Sequence, residues 1–259
     1  LMNFVNLAHG SFAMAGGYVA LVVVNDMGWP FSLGLVAAFV SAAALGALLE
    51  RTLYVHVYNK SHLDQVLFTI GLVFMSVAAV DYVMGSQQQF IRIPAALQGQ
   101  FDVFGIGMSK YRLLIIAICG VITIALQLAL LSTRFGSQLR ASVDDQRVAR
   151  GLGVNVGVVF AVTFALGSGL AGLGGALGAE ILGLDPIFPL KYMIYFLIVV
   201  TVGGSSSITA PFFASILLGI GDVAGKYYVP KLGAFVIYTI MIIVLIIRPQ
   251  GLFAHGRAR

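Results

Sequence analysis

The chain has 259 residues, of which 59% are hydrophobic and only 10% charged. Soluble domains carry about 25% charged residues, so this composition excludes a soluble globular protein and describes a polytopic, all-α membrane protein. A net charge of +5 would suggest nucleic acid as partner of a soluble domain, but here it is the expected retention of basic residues on the cytoplasmic side. The single cysteine, Cys119, excludes an internal disulfide and any multi-cysteine metal site.

A spanning helix needs about 20 mainly apolar residues. In chain order the candidates are residues 11–24 (short), 31–53, 65–84, 111–132, 158–182, 191–202 (short), 209–223 and 233–247. Breakers separate them: Gly28-Trp29-Pro30, the stretch 183–189, Gly203-Gly204 and Pro230. The chain opens at Leu1 in apolar sequence with no cleavable signal, which raises the expectation of one more hydrophobic helix upstream.

The distribution of Lys and Arg sets the expected orientation. With the charged block 133–155 inside, that side collects nine basic residues: Arg51, Lys60, Arg134, Arg140, Arg147, Arg150, Arg248, Arg257 and Arg259. The outside receives six, namely Arg92, Lys110, Arg112, Lys191, Lys226 and Lys231. The outer loop 85–110 is long and mixed, either a partner-facing surface or a solvated connection.

Two short segments lie beside glycine-rich turns, at 3–17 and 201–211. Unwound backbone survives at membrane depth only where it lines a cavity or is buried in protein, and transporter sites are often built from it. Asn3, Asn6, His9 and Ser11 in the first segment, with Thr201, Gly203, Gly204 and Ser205 in the second, are therefore candidates for a substrate pathway. Hydrogen bonding to broken backbone is the competing role. Gly167, Ala171 and Gly175 recur every fourth residue, a small-residue stripe for close helix packing, with Ser168, Gly172 and Ala176 beside it. Asp81 and Glu180 fall inside or near the outer ends of helices, where an acid is a functional candidate and reaching out to the interface is the competing role.

Catalytic chemistry finds little support. His56 and His62 have no companions that complete a metal site, so no metal is expected. Ser168 lacks a partnered base for nucleophilic work, and no GxxxxGK[ST] phosphate loop occurs. The chain is therefore not expected to be an enzyme. If ATP drives it, another chain binds the nucleotide.

The remaining feature is the charged block itself, TRFGSQLRASVDDQRVARGLGVN. Residues 137–151 are expected to form one short amphipathic helix, with Leu139, Val143 and Ala149 among polar neighbours, ended by Gly151-Leu152-Gly153. Such a helix suits docking into a cleft on a soluble protein; a solvated loop is the plainer alternative.

The string RASVDDQRVARGLGVN, followed by TFALGSGLAGLGGALGA, resembles permeases of branched-chain amino acid ABC transporters of the LivH type. So do NFVNLAHGSFAMAGGY near the start, VTVGGSSSITAP near Thr201, and RPQGLF at 248–253. The matches keep their order over nearly the whole chain. The resemblance implies a single transmembrane permease domain over 1–259, with broken or re-entrant helices and a cytoplasmic coupling helix within 134–155. Arg140, Asp144, Asp145, Arg147, Gly151 and Gly153 would form the ATPase coupling surface. The implied setting is the bacterial inner membrane. The implied partners are a second homologous permease subunit, two ABC ATPases that bind ATP and Mg, a periplasmic substrate-binding protein and membrane lipid, with no nucleic acid and no cofactor bound by this chain. Branched-chain amino acids are the implied substrate. Relatives handle urea, amides or small carboxylic acids, and in Gly203-Gly204-Ser205-Ser206-Ser207 serines follow the glycine pair where the family commonly has Leu-Gly or Met-Gly, which leaves these alternatives open. A self-contained secondary carrier is the competing class.

Overall fold

The computed structural model describes residues 6–58, 60–103, 106–204, 209–248 and 251–252. Among them the chain is all-α apart from one hairpin. The helices are α1 (His9–Leu21), α2 (Phe31–Thr52), α3 (His62–Met84), α4 (Lys110–Ser132), α5 (Arg134–Asp144), α6 (Gln146–Gly151), α7 (Val156–Leu182), α8 (Phe188–Gly203), α9 (Thr209–Tyr228) and α10 (Gly233–Ile247). The hairpin pairs β1 (Gln100–Val103) with β2 (Ile106–Ser109), antiparallel, with Gln100 opposite Ser109. Among the described residues four stretches are long and apolar enough to cross a membrane: Phe31–His56, His62–Met84, Lys110–Ser132 and Val156–Leu182; Phe188–Gly203 and Phe235–Ile247 are shorter apolar helices. The chain is thus a multi-pass helical membrane protein.

The helix ends follow local chemistry. Ser61 caps α3 by accepting from the Asp64 N–H at 3.2 Å, and Asn155 caps α7 by accepting from the Val158 N–H at 3.2 Å, each satisfying an orphan donor of the first turn. Pro30 precedes α2, where a missing N–H does no harm. α1 does not stop at Leu21 but runs on as a π-turn, Val22–Asp26. This turn presents Asn25 to the following loop, where its amide donates to the Phe90 carbonyl and its oxygen accepts from the Arg92 N–H, both at 2.9 Å.

The chain divides into two compact units. The larger contains Met2–Cys119 and Arg134–Met193; the smaller contains Gly120–Thr133 and Ile194–Arg259, with Leu1.

In the larger unit α7 packs along both α1 and α2. Small residues make this possible. On α2 the buried positions Gly34, Ala38, Ala42, Gly46 and Glu50 recur every fourth residue. On α7 a Cβ added to Gly175 would collide with the Ala13 carbonyl of α1, and one on Gly172 would meet Ala42 of α2. In a bilayer no hydrophobic force drives helices together, so van der Waals contact between close backbones carries the association. Gly167 departs from the expected stripe: nothing lies within 4 Å of its Cβ position. The contacting row is instead Ser168, Gly172, Gly175 and Ala179, all buried, because α7 is flanked by two helices rather than one. Ala171 lies at the edge of the core, partly buried.

α4 buries only Tyr111, whose hydroxyl donates to the Leu177 carbonyl at 2.8 Å. Its Ile116, Val121, Ile124, Leu128 and Leu131 are exposed, which in a bilayer is contact with an apolar solvent rather than a defect. The smaller unit has its own core, formed by Ile198 and Val202 of α8, Ala214 and Leu218 of α9, and Ile237 and Val244 of α10.

Candidate substrate pathway and coupling surface

The candidate coupling segment is two helices, not the single one expected over 137–151. The break falls at Asp145, which is extended (φ −153°, ψ 105°). Its carboxylate accepts from the N–H groups of Arg147 at 2.8 Å and Val148 at 3.0 Å, capping α6. An aspartate that caps gains a favourable interaction with the helix N-terminus, which outcompetes a continuous helix through this position. At the far end Gly153 takes φ 85° and donates to the Arg150 carbonyl at 3.0 Å. Gly151 is the last residue of α6. The two glycines thus do different jobs: one closes the helix in a left-handed conformation, the other leaves its surface bare.

Inward, α5 buries Gly136, Leu139 and Ser142 and α6 buries Ala149, and both helices pack on α7. Outward, Arg140, Asp144, Asp145, Arg147 and Arg150 are all exposed. Interleaved with them are Val148, 57% exposed, and Leu152, 77% exposed. Val143, expected to sit on the apolar face, is exposed as well. Charges with apolar side chains between them form a surface suited to a partner that supplies both complementary charge and a greasy cleft.

The first group of pathway candidates lies in the larger unit. Asn6 accepts from the Tyr54 hydroxyl at 3.2 Å and from the Ala8 N–H at 2.9 Å, while its amide nitrogen is buried without a partner among the described residues. Ser11 is buried and bonded to Ser76 of α3, Oγ to Oγ, at 2.7 Å. His9 is exposed, edge-on to the Phe12 ring. Asn3 lies outside the described residues. Around Asn6 the structure assembles groups that sequence reasoning missed. Tyr54 is fully buried, tilted against Phe164 with ring centroids 4.6 Å apart and edge-on to Phe68 at 5.4 Å. Glu50, buried to 4% exposure, accepts from the Tyr58 hydroxyl at 3.1 Å. Burial together with that carboxylate pushes the Tyr58 phenol far above its usual range, so it remains a donor at any physiological pH. The buried Gln65 amide donates to the Tyr58 and Lys60 carbonyls, both at 3.3 Å. The signal that would have exposed Glu50 is the every-fourth-residue stripe of α2, which it terminates.

The second group belongs to the smaller unit. The Thr201 hydroxyl donates to its own helix, to the Leu197 carbonyl at 2.8 Å. Gly203 closes on Pro211, whose nitrogen would stand 2.7 Å from an added Cβ, and Gly204 takes φ 92°. Ser205 lies outside the described residues. The Gly-Gly turn is held by the segment after α10: the Leu252 N–H donates to the Val202 carbonyl at 2.8 Å, and a Cβ on Gly251 (φ 95°) would come within 2.6 Å of the Gly204 nitrogen. Val202 to Gly204 and Gly251-Leu252, far apart in sequence, thus form one joint. Gly251→Val is expected to release it. Loss of about 1.4 kcal/mol of local stability corresponds to about tenfold faster exchange at an amide protected by local opening, so the Leu252 N–H should exchange at least that much faster while α9 and α10 keep their protection.

Among the described residues no group of three or more His, Cys, Asp or Glu side chains could hold a metal ion. Cys119 is in no disulfide.

Residues 1–245 match the family model described as branched-chain amino acid transport system / permease component. The chain is 26% identical over 270 residues to the high-affinity branched-chain amino acid transport system permease protein LivH of Escherichia coli K12, covering 98% of this chain and 87% of that protein. It is 26% identical over 271 residues to the permease protein BraD of Pseudomonas aeruginosa, with the same coverage. To the probable branched-chain amino acid transport permease protein LivH of Methanocaldococcus jannaschii it is 27% identical over 266 residues, covering 96% and 83%. No solved structure matches significantly. With its helices in place and nearly its whole length matched, the chain belongs to the branched-chain amino acid transport permease family.

Proposed function

We propose that this chain is the permease subunit of an ATP-driven importer for branched-chain or related hydrophobic amino acids, in the bacterial inner membrane. The observation that carries the reading is the unbroken match of residues 1–245 to a family of transport permeases. The exposed α5–α6 pair supports the coupling role.

The partners are a second, homologous permease subunit, two ABC ATPases that bind ATP and Mg, and a periplasmic substrate-binding protein. The mechanism follows from the packing. ATP-driven closure of the ATPases displaces α5 and α6. These rest on α7, and α7 is the helix on which α1 and α2 are packed. A displacement at the charged surface therefore reaches α1, which carries Ser11 and follows directly on Asn6, and α2, which carries Glu50, through one close-packed body. ATP drives the change only to the extent that it binds one state better than the other.

Co-purification tests this reading. Expressed with the candidate ATPases and second permease, the tagged chain should elute with both, and Arg140→Glu with Arg147→Glu should elute without the ATPases. A wild-type chain that elutes alone and transports amino acids unaided would refute it.

A further inference from the structure

Tyr18 of α1 is 4% exposed, and its hydroxyl is buried with no hydrogen-bond partner among the described residues. α1 stands flush against the turn that joins α7 to α8: a Cβ on Gly17 would lie 2.9 Å from Leu184. In that turn Asp185 carries a second orphan, because its Oδ1 is also buried without a partner. The other oxygen, Oδ2, stands 3.8 Å from the Lys191 ammonium. Tyr18 shares one buried cluster with Leu184 and Phe188, which lie on either side of Asp185 in the chain. A buried polar atom left unpaired costs about 1–3 kcal/mol, and here a lone donor and a lone acceptor lie at one junction of helix and turn. The expense is removed by a molecule that donates to the carboxylate and accepts from the phenol and the ammonium.

We propose that Tyr18, Asp185 and Lys191 form a subsite for the charged end of a zwitterionic α-amino acid. The ligand's ammonium meets Asp185 Oδ1, and its carboxylate meets the Tyr18 hydroxyl and Lys191. Its side chain is left to the apolar wall that packs beside them, including Phe188 and Tyr192. A bare cation would leave the phenol without an acceptor, and a bare carboxylate would face the Asp185 carboxylate with nothing to donate to it. The inference rests on the transport reading above and assigns it residues that the polar segments 3–17 and 201–211 did not include.

The test uses the complete transporter in nanodiscs without the binding protein, with ligand binding followed by saturation-transfer NMR. The same preparation in vesicles reports ATP-dependent leucine uptake with the binding protein restored. Leucine should bind, while isocaproate, which lacks the ammonium, and isoamylamine, which lacks the carboxylate, should bind at least about tenfold more weakly, as expected when a buried polar partner is left unpaired. Tyr18→Phe removes one oxygen and keeps the ring in its packing. It should raise the half-saturating leucine concentration about tenfold, as should Asp185→Asn, with each variant complex still co-eluting. Equal binding of isoamylamine and leucine overturns the zwitterion assignment. Leucine uptake in the wild type with unchanged binding in both variants overturns the subsite and leaves the transport reading standing. Failure of the wild type to take up any α-amino acid overturns both.

Discussion

Gly175→Ala is expected to destabilise the protein by about 3 kcal/mol, at the upper end of the overpacking range, although it adds only one methyl group. The reason is the identity of the neighbour. The new Cβ would collide with the backbone carbonyl of Ala13, not with a side chain that can turn away, so α1 as a whole must shift from α7. Gly167→Ala supplies the control on the same helix, since nothing lies within 4 Å of its Cβ position. Thermal unfolding of the purified complex in one detergent separates the two: the Gly175 variant melts well below wild type and the Gly167 variant melts with it. Equal melting of the two variants would mean that α1 and α7 do not approach as described.

The second large effect is electrostatic. Asp144→Arg places a cation on an exposed surface that already carries Arg140, Arg147 and Arg150. If an ATPase groove complements this surface, like-charge juxtaposition costs several kcal/mol, and transport should fall by two orders of magnitude or more while the protein still inserts. Asp145 requires a different substitution, because its carboxylate caps α6. Asp145→Ala removes the cap, at about 1 kcal/mol, and Asp145→Asn removes the charge while keeping a capping oxygen. Near-wild-type coupling in Asp145→Asn with impaired coupling in Asp145→Ala assigns Asp145 to shaping α6 and leaves the docking charge to Asp144. The charge reversal of both acids at once mixes the two causes.

The spanning helices were legible in the sequence because hydropathy reports burial in lipid directly. Its errors fall at helix ends, where prolines, glycines and charges read as loop. It begins α8 at 191 because the stretch 183–189 reads as a breaker, whereas the helix starts at Phe188 with Pro189 in its first turn, where proline is tolerated. It ended α9 at 223, whereas the helix continues to Tyr228, with Asp222 and Lys226 paired along its flank at 2.5 Å. The charged block was legible as helix, but its break was not. Asp144-Asp145 reads as two equivalent acids until the backbone at the second one is seen to be extended. Least legible was the polar cluster of the larger unit. Asn6 was visible as a polar residue in apolar surroundings, yet its partner Tyr54 lies 48 positions away, and no local pattern connects them. The stripe from Gly34 to Glu50 was available and points along one face of α2.

The most direct test of the account is leucine uptake into vesicles that contain this chain and its second permease, with and without the ATPases, supplied with loaded binding protein outside and ATP inside. Uptake should require both the ATPases and ATP, and should be lost when Asp144→Arg replaces the wild type. Uptake without ATPases, or undiminished uptake in the Asp144→Arg vesicles, would contradict the claim that this permease is driven through α5 and α6.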